Sequence, residues 1–117
     1  MAFTTVLRIE NARGEGPYNA PLHDEQWCSI KAEHSYTRPP PTRPGEPWED
    51  FPSGALRDRH VCGFLDRRQL DAWFSQEELQ LLAELGFTIN RYQVAEEDLL
   101  LGQSQITFIK VYARKLK

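Results

Sequence analysis

The chain has 117 residues, 40% of them hydrophobic and 26% charged, with a formal net charge of −3. That length suits one domain, residues 1–117, around one core, and the mildly acidic balance excludes a global basic field that would recruit nucleic acid. Two cysteines, Cys28 and Cys62, make no disulfide framework, and neither a signal segment nor a membrane-length apolar run is present, so the reading is a reduced, cytoplasmic protein without membrane attachment.

Residues 3–10 read as a strand. Phe3, Thr5, Leu7 and Ile9 alternate with Thr4, Val6, Arg8 and Glu10, and β-branched residues recur throughout. Arg8 and Glu10 share the second face, which is either a polar cleft wall or, more simply, a solvated surface. The loop Asn11–Tyr18 follows, with Gly14, Gly16 and Pro17. It lacks the third glycine of a dinucleotide loop and the Gly-Lys-Ser/Thr of a phosphate loop, which leaves Tyr18 as its candidate contact residue. Residues 23–30 suit a short helix, with Trp27 and Ile30 three apart.

Residues 38–54 hold six of the eight prolines together with Trp48 and Phe51. Proline stiffens such a loop as a spacer, and two large aromatics in it predict a segment pinned to the body or used for binding. A short strand is expected at 59–64, with Cys62 as a small buried apolar residue. Residues 66–85 contain two helix starts. Asp66 with Gln69, and Ser75 with Glu78, have capping-box spacing. Leu70, Trp73 and Phe74 make one apolar face, and Leu79, Leu81, Leu82 and Leu85 another, with Gly86 as the stop.

Phe87–Val94 reads as a strand whose apolar parity changes, predicting a bulge near Asn90-Arg91 or burial on both faces. Glu96, Glu97 and Asp98 make an acidic turn, Leu99–Gly102 an apolar connection, and Gln105–Tyr112 a final, central strand lying antiparallel beside its predecessor. Arg114–Lys117 reads as a solvated basic tail. The fold class expected is α+β: a mostly antiparallel sheet of about three to five strands, covered by two short helices, with a long proline-rich loop.

No catalytic set emerges. His23, His34 and His60 with Cys28 and Cys62 match no zinc spacing, and no elbow or oxyanion context surrounds them, so neither a metal nor a cofactor is expected. Arg57, Arg59, Arg67 and Arg68 are interrupted by Asp58 and Asp66, which argues against direct nucleic-acid contact. The candidate binding residues are therefore Arg8, Tyr18, Trp48 and Phe51, with Glu96, Glu97 and Asp98 as a surface that would steer a basic partner.

Several short motifs run through most of the chain: Leu7-Arg8-Ile9-Glu10, Gly14-Glu15-Gly16-Pro17-Tyr18, Gly63-Phe64, Gln69-Leu70, Trp73-Phe74, Leu85-Gly86-Phe87, Tyr92-Gln93-Val94 and Gln105-Ile106-Thr107-Phe108. In this it resembles a group of small phage and prophage proteins, departing from them at Leu7, where the group often has an aromatic. The resemblance implies a phage accessory protein acting in the bacterial cytoplasm. It implies, in its sharpest form, an anti-CRISPR-like inhibitor whose partner is a bacterial defence protein or complex, such as a Cas protein. In outline the chain also looks like an NAD-dependent ADP-ribosyltransferase. On that alternative resemblance Arg8 would hold the dinucleotide phosphates, and Gln105 would stand where such enzymes place a catalytic glutamate. A neutral Gln cannot supply the negative charge that an oxocarbenium-like transition state calls for.

Overall fold

The alternating stretch Phe3–Glu10 forms strand β1, with the bounds its pattern predicts. The computed structural model describes residues 2–51 and 54–117. Met1, and Pro52 and Ser53 of the proline-rich segment 38–54, lie outside the described residues. After β1 come α1 (Glu25–Thr37), α2 (Ala55–Asp58), β2 (His60–Gly63), α3 (Arg67–Trp73) and α4 (Gln76–Glu84). Strands β3 (Thr88–Ala95), β4 (Leu99–Leu100), β5 (Ile106–Ile109) and β6 (Arg114–Leu116) follow, with 3-10 turns at Glu96–Asp98 and Lys110–Tyr112.

The architecture is α+β and every strand pairing is antiparallel, as expected, but the strands divide between two three-stranded sheets, β1-β3-β6 and β2-β5-β4. β1 and β3 pair in unbroken register from Phe3↔Ala95 to Glu10↔Thr88, so the bulge expected near Asn90 is absent. The parity change has another cause: Phe87 is buried just ahead of β3, while Ile89 within it is exposed. The run 105–112 does not lie beside β3 as its proximity in sequence suggests. The chain crosses through β4, in the apolar run that suggests a plain connection, into the second sheet, where β5 is central. The basic tail is also a correction, because Arg114–Leu116 uses the open edge of β3.

Among the described residues one isolated β-bridge, between Leu7 and Phe64, links the two sheets, with reciprocal N–H···O distances of 2.8 and 2.7 Å. Gly63 makes this approach possible, since a Cβ there would stand 2.7 Å from the Leu7 carbonyl oxygen. Two apolar clusters back the sheets. Ile9 and Phe64 pack with Trp27, Leu70, Trp73, Phe74, Leu81 and Leu82 of the helical layer. Val6, Tyr92, Val94, Ile106 and Phe108 form the cluster between the sheets. β1 therefore buries residues of both parities.

Local chemistry sets the helix ends. Asp66 accepts from the Gln69 N–H at 2.9 Å, although the Gln69 side chain turns to the Leu65 N–H rather than to that of Asp66. Ser75 and Glu78 form the reciprocal capping box, and Gly86 takes φ 94° beyond α4. α1 is longer than the 23–30 predicted. Asp24 caps it by accepting from the Trp27 N–H, and it runs until Arg38, held extended before Pro39. No helix among the described residues is long and apolar enough to cross a membrane.

Candidate binding cleft

A cleft of about 600 Å³ opens beside the bridge where the two sheets part. β1 contributes Arg8, the following loop Gly16–Tyr18, α1 Lys31 and His34, and β2 its whole length. Arg38 to Pro41, Trp48, Trp73, Phe74 and Gln105 complete the wall. None of the residues lining it is an Asp or Glu, in a chain whose 17 acidic residues outnumber its 14 Lys and Arg. The lining thus presents Arg8, Lys31 and Arg38, while the carboxylates that pair with Arg8 and Arg38 (Glu10, Glu33 and Glu78) stand outside it.

At its floor the supposed solvated face of β1 is buried, with Arg8 8% and Glu10 1% exposed. Arg8 donates through Nε to Glu10 at 2.9 Å and through Nη1 to the Cys62 carbonyl at 2.6 Å. Glu10 also accepts from Asn90 Nδ2 at 2.8 Å, Tyr92 Oη at 2.5 Å and Lys110 Nζ at 2.5 Å. Burial alone would raise the Glu10 pKa. The donors, Lys110 foremost, outweigh it and hold the carboxyl at about 2. The buried carboxylate is offset by two cations and two neutral donors, and that pairing is how charges on this face tolerate burial. Lys110 also donates to the Gly14 carbonyl at 2.9 Å, tethering the loop that carries Tyr18. Gly16 lies over the guanidinium, where a Cβ would be 3.3 Å from Arg8 Nη2.

A second chain of polar contacts forms one wall. Trp73 Nε1 donates to Tyr18 Oη at 2.8 Å, and His34 Nδ1 lies 2.5 Å from the same oxygen. His34 Nε2 lies 3.0 Å from Glu78 Oε2, and Glu78 Oε1 accepts from the Ser75 N–H at 2.8 Å. Burial pushes the ionisation of Tyr18 well above the ordinary phenol range, so it remains a phenol. Burial opposes ionisation of Glu78, but the Ser75 N–H, His34 and Arg38 together lower its pKa. Glu33, His34 and Glu78 offer donor atoms within 4.8 Å of one another. Arg38, at 3.6 Å from Glu33 and 4.0 Å from Glu78, already supplies the positive charge there, so the group fits an ion-pair cluster rather than a metal site.

The proline-rich arm forms the opposite rim. Trp48 Nε1 donates to Thr107 Oγ1 at 2.9 Å, and the Arg57 guanidinium stands 4.6 Å from its ring centroid. Gln105, buried at the approach to β5, donates through Nε2 to the Pro39 carbonyl at 2.9 Å. Phe51 packs edge-on against His60, 5.2 Å between centroids, behind the lining.

Arg8, Tyr18 and Trp48 therefore meet in one cleft, with Phe51 as a support. Glu96, Glu97 and Asp98 occupy the 3-10 turn after β3 and do not line it. Cys62, expected to be buried, is exposed. Three of the four arginines are engaged separately: Arg57 sits on Trp48, Arg59 on Tyr112, and Arg67 pairs with Asp71. Lys31, His34 and Arg38 are cleft residues that the predicted 23–30 helix omits. The usable signal was Asp24 as a cap, followed by Trp27, Ile30 and His34 at helical spacing.

The family model described as "Bacteriophage T4 Y00F protein" matches residues 1–117. No curated protein matches the chain, and no solved structure does.

Proposed function

Since the chain belongs to the Bacteriophage T4 Y00F protein family, we propose that this phage protein binds a phosphorylated nucleotide of the NAD type in the cleft between its sheets. The observation that carries the reading is the lining: Arg8, Lys31 and Arg38 with Tyr18 and Trp48, and no carboxylate. Phosphate oxygens pair with guanidinium and ammonium groups, and nucleobases stack on aromatic faces. This develops the ADP-ribosyltransferase-like resemblance, with one difference in chemistry. Gln105 is neutral and engaged with Pro39, so the function proposed is binding without ADP-ribosyl transfer. Calorimetry and thermal-shift measurements with NAD and ADP-ribose test it. Binding is expected, weakened about tenfold or more by Arg38→Ala, with no nicotinamide released. Failure of both ligands to bind overturns the reading.

A second reading is protein-mediated inhibition of a bacterial defence complex, anti-CRISPR-like. It is favoured by Glu96 and Glu97, which stand exposed in the 3-10 turn after β3, outside the cleft lining. Such a turn would steer the protein onto a basic nucleic-acid-binding surface of a Cas protein. Expression in a strain whose CRISPR–Cas system targets a test phage should restore plaques, and Glu96→Lys with Glu97→Lys should abolish the rescue. Unchanged immunity in the strain carrying the native protein sinks this reading.

A further inference from the structure

A phenol oxygen has one proton to give and two lone pairs to fill. At Tyr18, Trp73 Nε1 donates into one lone pair at 2.8 Å, and His34 Nδ1 lies 2.5 Å from the same oxygen. The other ring nitrogen of His34 faces Glu78 at 3.0 Å, and a carboxylate there calls for a proton on Nε2. Two arrangements satisfy these contacts. With a neutral imidazole, Nδ1 carries no proton, Tyr18 donates to it, and the cleft is offered only a lone pair. With an imidazolium, Nδ1–H donates to Tyr18, both lone pairs are filled, and the phenolic proton turns toward the cleft.

The charged groups around His34 favour the second arrangement once an anion arrives. Glu78 on α4 lies at 3.0 Å and Glu33 on α1 at 3.8 Å. They are opposed by Arg38, which follows α1 and lies 3.6 Å from Glu33 and 4.0 Å from Glu78. His34 also meets Trp27 on its own helix, Tyr18 from the loop after β1 and Phe74 at the end of α3, none of them charged.

We propose that Tyr18 is a specificity-determining residue that donates its hydroxyl proton to an anionic or carbonyl oxygen of the ligand, and that His34 takes up a proton as the ligand binds. The inference rests on the cleft accepting a phosphorylated ligand. His34 is then a positioning residue: it acts through Tyr18, selecting acceptor atoms over donor atoms without touching the ligand.

Calorimetry with ADP-ribose as the probe, at pH 7.5 in buffers of different ionisation enthalpy, tests this on the native protein. The expected result is a binding heat that varies with the ionisation enthalpy of the buffer, the mark of net proton uptake. Tyr18→Phe should bind about tenfold more weakly, with buffer-independent heat. His34→Gln should bind with no proton uptake. Binding with buffer-independent heat, or Tyr18→Phe binding as well as the native protein, overturns the proposal and leaves the cleft reading standing. No binding of ADP-ribose overturns both.

Discussion

Arg8 and Cys62 are joined across the parting of the sheets: the Arg8 guanidinium donates to the Cys62 carbonyl at 2.6 Å, one residue beyond the Leu7–Phe64 bridge on β1. The same side chain binds Glu10, so it ties strand to strand while lining the cleft. Arg8→Lys keeps the charge but cannot make both contacts in that planar geometry. The expected cost is about 2–4 kcal/mol in urea unfolding, toward the lower side of a broken buried pair because Lys110 still faces Glu10.

Glu10 predicts the acid limb of stability. Folding lowers its pKa from 4.5 to about 2. Its contribution is therefore complete above about pH 4.5 and is lost as the pH falls toward 2, amounting to about 3 kcal/mol across that window. Glu78, shifted the same way, adds to the trend. Urea midpoints between pH 6 and pH 2 should fall steeply for the native protein and more gently for Glu10→Gln.

At Gly63 the expected effect is steric. A methyl group would meet the Leu7 carbonyl oxygen at 2.7 Å and the Phe108 ring at 3.1 Å. Gly63→Ala should force the bridge apart and lower stability by about 1–3 kcal/mol. Amide exchange at Leu7 and Phe64, which donate the two bridge bonds, should accelerate more than exchange elsewhere in β1.

Trp48 separates pinning from binding. Its indole N–H is committed to Thr107, so Trp48→Ala should destabilise the protein by about 2 kcal/mol and expose the proline-rich arm to protease. Trp48→Phe keeps a ring for stacking and loses the hydrogen bond. A melting temperature lowered by both variants, with ADP-ribose affinity retained in Trp48→Phe, assigns the bond to the scaffold and the ring to the ligand.

Local patterns carried well into the fold. The β1 bounds, both helix starts and the Gly86 stop are short-range chemistry, and the structure has all three. The sheet partition was not legible, because adjacency in sequence favours pairing 87–94 with 105–112 and only tertiary contacts send β5 to β2. Arg8 and Glu10 resembled a solvent face for a related reason. Their neutralising partner, Lys110, is about a hundred residues away, so no window of sequence shows that the charges are satisfied. The predicted 23–30 helix stops short of the observed end of α1 because His34 stands at a buried position where apolar periodicity expects an aliphatic residue.

The pairing of β1 with β3 has a consequence for how the protein is made. β1 is synthesised well before the strands it depends on, since its partner begins at Thr88 and the central strand of the other sheet at Ile106. During synthesis the helices can form locally, while a β-branched strand with a free edge waits for most of the chain to arrive. Folding is therefore set late and over long sequence distances. At low expression temperature, or with a chaperone that shields residues 3–10, the yield of native protein should rise because that waiting edge is kept from other copies.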